Sequence, residues 1–272
     1  TAPGPRGKAA IKVSTRSGPG LSTPKALVRA VAEALRRRGF APDAVMLVDA
    51  ETARLRRAGF LPRNPLEPAR FGDIPVRAWD LESKAWSDDV RWRYDNPVPP
   101  APGLPLPTWN DPRASLVPRP LAEEFDFWIH LPVLTDSPDV GVDAAIADAS
   151  LGNATNTSRF TGNPRNAAAA AVSLAAWPGM DSRRVLTLLS LERYQVRGGP
   201  AFDAGWCRSE PRILASANPV ILDHVGWLRI RSARGESGIG AEPAVLQAAA
   251  EGGTSLGPGR PGDVTLVRLD DR

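Results

Sequence analysis

The sequence predicts an α/β protein with an open, mostly parallel sheet and helices on both faces. Three observations carry this. Short apolar runs alternate with helical patterns along the chain. The first such unit reads strand, glycine-rich loop, helix, strand, a Rossmann-like βαβ arrangement that implies parallel pairing. The run VLTLLSL at residues 185–191 is a near-continuous apolar run, typical of a central parallel strand.

Taken in order, residues 9–13 (AAIKV) read as the first strand, and STRSGPGLS at 14–22 as its loop. Thr23 suits the cap of the following helix and Pro24 its first turn. Leu27, Val28, Val31 and Leu35 share one helical face, Arg36 to Arg38 suit the negative end, and Gly39 stops the helix. Residues 44–48 (AVMLV) form the second strand, ending at Asp49, and 52–58 a short helix stopped by Gly59. Residues 96–120 hold nine prolines, a density that excludes helix and central strand. They read as an extended connection packed down by Trp109 and nearby apolar residues, with a disordered linker as the alternative; the flanking Trp79, Trp86 and Trp92 argue against full disorder. The chain is expected as a single domain, or as two lobes at about 9–95 and 121–272 on either side of it.

Beyond the connection, 125–133 reads as a strand, 142–149 as a helix and 153–163 as a polar loop. An alanine-rich helix capped by Asn163 covers 164–177. RGGPAF at 197–202 is a second glycine loop, 212–216 a strand, and Asn218-Pro219 opens a helix running to about Arg234. A helix at 243–250 and a strand at 264–269 close the chain.

Composition narrows the function. One cysteine, Cys207, excludes an internal disulfide and an iron–sulfur cluster held within this chain, and two histidines leave little for zinc. No apolar run approaches a membrane span. The net charge is +4, with the arginines scattered; no aromatics interleave with Arg36 to Arg38, which argues against a nucleic-acid partner. The chain starts at Thr1 without methionine, as a processed or trimmed protein does.

Open α/β sheets bind ligands at the carboxyl ends of their strands. That rule gathers the 14–22 loop, residues 49–51, 135–138, 192–200 and 217–218. The glycines of the first loop, with Ser14 and Arg16, suit an anion, although neither a Walker nor a G-x-G-x-x-G pattern is present. A flexible connection explains the loop equally well. Lys12 lies in a strand near this edge, where it reads as a base, a Schiff-base former or a charge clamp. A lysine paired with a carboxylate or facing solvent is the commoner case. His130 reads as a core histidine beside the Thr135-Asp136 turn, and the polar loop adds Asn153, Asn156 and Arg159.

Two hypotheses follow. One is an enzyme acting on a small polar or anionic metabolite, with Lys12, His130 and Asp136 catalytic and Ser14, Arg16, Thr135, Asn153, Asn156 and Arg159 holding the ligand. The other is a non-catalytic protein whose cleft holds a ligand or a partner segment. The chain names no cofactor and no oligomeric state.

The segments AAIKVSTRSGPGLSTPKALVRAVAEALRRRGF, LRRAGFLP, DFWIHLPVLTDSPDVGVDAAIADASLGN, LSLERYQVRGGPAF and SEPRILASANPVILDHVGWLRI occur in this order over most of the chain. Together they resemble the DUF362 family, a domain of unknown function found in bacteria and archaea. Their organisation is also distantly similar to the nickel-pincer lactate racemase family. Many DUF362 members carry lysines and a histidine after the third strand; here those positions hold Val133, Thr135 and Ser137, and a later lysine falls near Asp148. The resemblance therefore implies a family site with altered chemistry and counts against a pincer racemase. Some members carry twin-arginine export signals, which implies an exported protein with its signal removed; a cytoplasmic protein is the alternative.

Overall fold

The computed structural model describes residues 2–81, 86–94, 113–237 and 240–251, with isolated positions at 256, 257, 259, 262, 265 and 267. Strand β1 (Ala9–Val13) is buried along its whole length. Helix α1 (Lys25–Arg37) crosses over to β2 (Val45–Asp49), which lies parallel to β1 with Ile11 opposite Leu47 and Lys12 opposite Val48. Helix α2 (Thr52–Ala58) ends where Gly59 turns left-handed at φ 76°. Strands β3 (Arg70–Phe71) and β4 (Ile74–Ala78) form a hairpin, and β4 joins β2 in parallel.

The cap of α1 differs from the sequence expectation. Pro24 stands at the N-cap position, and Thr23 turns away from the helix. Its hydroxyl accepts from Ser14 N at 2.8 Å and donates to Leu131 O at 2.6 Å. A side chain suited to capping here ties the first loop to a neighbouring strand.

The proline-rich connection also differs at its end. Strand β5 (Trp86–Arg93) pairs antiparallel with β6 (Ala114–Pro118) in a separate two-stranded ribbon. The stretch RASLV between Pro112 and Pro118 keeps its N–H groups and can pair, and a two-stranded ribbon asks for fewer ladder bonds than a central strand. The rest of the connection, including Trp109, lies outside the described residues.

The stretch read as one strand at 125–133 is two. Strand β7 (Phe127–Leu131) and strand β8 (Val133–Ser137) are separated at Pro132, which has no N–H for a ladder. β9 (Gly141–Asp143) turns back on β8, so the helix expected at 142–149 is shortened to α3 (Ala145–Ala149). Asp143 is spent on the hairpin before the helix begins.

Helix α4 (Pro164–Ala175) follows, with Asn163 accepting from Asn166 N as its cap, then α5 (Pro178–Asp181). The long strand β10 (Arg184–Gln195) takes β7 and then β8 in parallel along one edge. β11 (Cys207–Arg208) and β12 (Ile213–Ser216) occupy its other edge: Thr187 is partnered by both His130 and Ser216, Ser190 by both Val133 and Ile213. Helix α6 (Pro219–Ala233), capped by Asn218, and α7 (Ala244–Glu251) complete the described elements. Of the strand expected at 264–269 only residues 265 and 267 are described, and neither is in a strand; the rest lies outside the described residues.

Strands from 9–78 and from 127–216 share one ten-stranded, mostly parallel sheet, joined where β1 pairs with β7. Alternation along β1 sorts the two faces. Ala9, Ile11 and Val13 pack with α1 and α2, while Ala10 joins Trp128 and Leu134 under α3, α4, α6 and α7. The fold is therefore α/β with helices on both faces. Lys12 and His130 sit side by side in register on the second face.

Candidate functional site

A lysine and a histidine buried in the centre of a parallel sheet need partners, because burying a charge alone is costly. The partner is Asp148. It comes from α3, a helix of five residues whose first amides are held by Asp223 of α6: Ala145 N donates to its carboxyl at 2.5 Å and Ile146 N at 3.1 Å. So anchored, α3 lowers Asp148 onto the sheet. Asp148 Oδ2 accepts from Lys12 Nζ at 3.0 Å and from His130 Nε2 at 2.8 Å, and Oδ1 from Ser14 Oγ at 2.9 Å.

Lys12 is 1% exposed and spends its ammonium fully. It donates to Val13 O at 2.7 Å and to Asp148, and pairs with Asp49 Oδ1 at 3.1 Å. Three donors meet three acceptors. Burial alone would lower its pKa, but Asp148 and Asp49 outweigh burial and hold it above the ordinary lysine value. Burial would likewise raise Asp148, and Lys12 and His130 outweigh it and hold it below the usual carboxylate range. Burial lowers His130 to about 4 against the pull of Asp148. The imidazole is neutral at pH 7, so Nε2–H donates to Asp148, and Nδ1 is left without a partner among the described residues. Thr15 Oγ1 completes the cluster by donating to Asp49 Oδ2 at 2.5 Å.

The geometry is that of a charge clamp. All three hydrogens of the Lys12 ammonium are committed to it.

Above the cluster, at the carboxyl ends of the strands, lies a cleft of about 380 Å³. Its walls include Arg16, Asp143, Asp139, Asn153, Trp86 and Phe160; Lys12, His130 and Asp148 are not among its lining residues. Arg16 comes from the loop after β1 and pairs with Asp143 at 3.0 Å while its side chain stays 35% exposed. Burial raises the Asp143 carboxyl above its usual pKa, with Arg16 opposing. Asn153 follows α3 and is 1% exposed.

The other side of the strand ends is closed by packing between loops. Asp136 Oδ1 accepts from Gly199 N at 2.8 Å, and Oδ2 pairs with Arg234 at 3.2 Å. Gly199 lies so close that a Cβ there would meet Asp136 O and Thr135 Oγ1 at 2.1 Å. The Thr135 hydroxyl donates to Asp136 O. The first loop docks on the same segment: Phe202 N donates to Ser17 O at 3.1 Å, and the Phe202 ring covers Gly20. Within that loop Gly18 N, Leu21 N and Thr23 N close turns on Thr15, Gly18 and Ser14. These amides serve the loop's own fold, and Pro24 at the helix start has none to offer.

The structure therefore divides the residues singled out in the sequence into separate groups. Lys12, His130 and Ser14 meet at Asp148. Arg16 and Asn153 line the cleft above them. Thr135 and Asp136 belong to the closed side. Asn156 Nδ2 donates to Ala114 O at 3.0 Å and Arg159 to Ser115 Oγ at 3.1 Å, so both secure β6. Sequence reasoning missed Asp148, Asp143 and Asp223 as site-building residues. Each is a carboxylate set in a run of apolar or small residues (VGVD, AAIADAS, VILDHV), a pattern that signals a buried partner.

No protein-family model matches the chain, and no curated protein matches it. Among solved structures, a Thermotoga maritima protein from a structural genomics consortium is 12% identical over 82% of this chain, with a TM-score of 0.39. The match covers 52% of that protein, so this chain spans about half its length.

Proposed function

We propose that this chain is a divergent DUF362-like protein that binds a small polar metabolite non-covalently in the cleft walled by Arg16, Asp143 and Asn153. The observation that carries this reading is the state of Lys12. Its amine is consumed by Asp49, Asp148 and Val13 O, while Arg16 keeps a third of its side chain open at the cleft wall. The buried cluster then sets the position of α3, and through it Asn153. The family's altered positions, Val133, Thr135 and Ser137, agree with a site that holds a ligand without the family's lysines.

An enzyme is the second reading, favoured by Asp143. A buried carboxyl with a raised pKa at a cleft wall is suited to donate a proton.

A thermal-shift screen with mixtures of polar metabolites separates the readings. The binding reading expects a hit that stabilises the parent in a concentration-dependent way, stabilises Arg16→Ala much less, and is recovered chemically unchanged by mass spectrometry. Equal stabilisation of parent and Arg16→Ala contradicts the site. A hit converted by the parent and left intact by Asp143→Asn establishes the enzyme instead.

A further inference from the structure

The Arg16–Asp143 pair at the cleft wall makes only half of the contact open to it. Arg16 Nη1 donates to Asp143 Oδ2 at 3.0 Å, a single bond where a guanidinium and a carboxylate frequently form two. The remaining N–H groups of Arg16 have no acceptor, and Asp143 Oδ1 has no donor, among the described residues. Neither is sealed off. Both residues line the cleft, Arg16 with a third of its side chain exposed, and Asp143 Oδ1 is not among the occluded polar atoms. A free donor and a free acceptor therefore stand side by side.

A turn of the same cleft adds hydroxyls. Thr157–Phe160 form a short helical turn, tied to Asp139 where Gly162 N donates to its Oδ1 at 3.0 Å. Thr157, Ser158 and Thr161 line the cleft, and their hydroxyls have no partner among the described residues. Each hydroxyl can both donate and accept. Trp86 lines the cleft as well, half-buried, and gives it an aromatic wall.

The open groups are thus mixed: N–H donors, a carboxylate acceptor and hydroxyls. An ammonium group only donates and a carboxylate only accepts, so neither alone completes the Arg16–Asp143 contact. A hydroxyl accepts from Arg16 and donates to Asp143 with the ion pair left intact. Neighbouring hydroxyls on one ring carry the pattern on to the turn, and the C–H face of such a ring can lie on Trp86. The cleft volume of about 380 Å³ is near the small end of ligand pockets, roughly 300–1,000 Å³, and suits a single ring.

We infer that the ligand of this cleft is a polyol the size of one sugar ring, held by its hydroxyls at Arg16, Asp143 and the Thr157 turn. This rests on the binding reading above and names its ligand class. Free sugars and the ribose of a nucleoside share this chemistry.

The test is an NMR titration of the isotope-labelled protein with glucose, ribose and adenosine, and with tetrahydropyran, succinate and γ-aminobutyrate as controls. At least one of the first three is expected to shift the Arg16 Nε–H and the amides of 157–161, and to bind about tenfold or more tighter than any control. Adenosine binding tighter than ribose and glucose assigns the nucleoside; the reverse order assigns a free sugar. Asp143→Ala is expected to weaken the polyol by about tenfold and Thr157→Val by about threefold. If Asp143→Ala does not fold, Thr157→Val and the probe ranking decide. A control that binds the cleft as tightly as the polyols overturns the inference and leaves the binding reading standing, as does unchanged polyol affinity in either variant. If no probe perturbs the cleft, the inference falls and the metabolite screen decides the binding reading alone.

Discussion

Lys12 makes its contacts at a single point, and its removal should be felt in folding before anything else. Replacing it leaves the Asp49 and Asp148 carboxylates buried without their counter-charge. Breaking such an arrangement costs roughly 3–5 kcal/mol. We expect Lys12→Met to lose about that much in urea unfolding. Asp223 gives a second test at this scale. Burial lifts it to about 8, against the two α3 amides that favour its charged form. An unfolded aspartate titrates near 4. The folded chain therefore holds a proton that the unfolded chain has lost between these values. The contribution is complete below about pH 4 and is lost as pH rises towards 8. Asp223→Asn lacks this dependence, so relative to the parent it should gain stability from about pH 4 to 8 and no more beyond, as read by unfolding at several pH values. At this scale the sequence was half legible. Lys12 and His130 stood out as polar residues in buried strands, whereas Asp148 is 136 residues from Lys12 and no local pattern joins them.

Among the elements, local chemistry is outweighed wherever a tertiary partner is nearer than a local one. Thr23 has the side chain of a helix cap, and the carbonyl of Leu131 claims it. Pro132 divides a mostly apolar run into β7 and β8, a break readable from the missing N–H alone. Asp143 joins a hairpin although its neighbours suit a helix, because β8 offers Thr135 opposite it. The glycine loop after β1 has the composition of an anion site, yet it packs against the segment around Phe202. Asp136 is the clasp for that segment, through Gly199 N and Arg234. Asp136→Ala should cost about 1–3 kcal/mol. Hydrogen exchange should rise at residues 197–203 and stay unchanged in β1, β2 and β7. Uniformly faster exchange would show that Asp136 holds more than this loop.

The whole molecule was the most legible scale. Continuous apolar strands alternating with amphipathic helices imply a parallel sheet covered on both faces, and that is the architecture found. The rule that ligands sit at the carboxyl ends of strands gathered part of the cleft wall, through Arg16, through Ala50 and Glu51 and through Ser137, but not Arg54, Asp139, Asp143 or the residues from 147 onward. Beyond its reach was which half of that edge stays open. The answer depends on Asp136 and Gly199 closing one side, a contact between residues 63 apart. On the proposed binding reading the layout separates two tasks. A buried cluster of Lys12, Asp49, Asp148 and His130 ties α3 to the sheet, and the cleft above it holds the ligand we propose. A crystal structure of the protein soaked with the hit from the metabolite screen tests this separation most directly. The ligand should lie between Arg16 and Asn153, with Lys12 still bound to Asp49 and Asp148. A ligand bonded to Lys12 Nζ or stacked on His130, with those ion pairs broken, would contradict it.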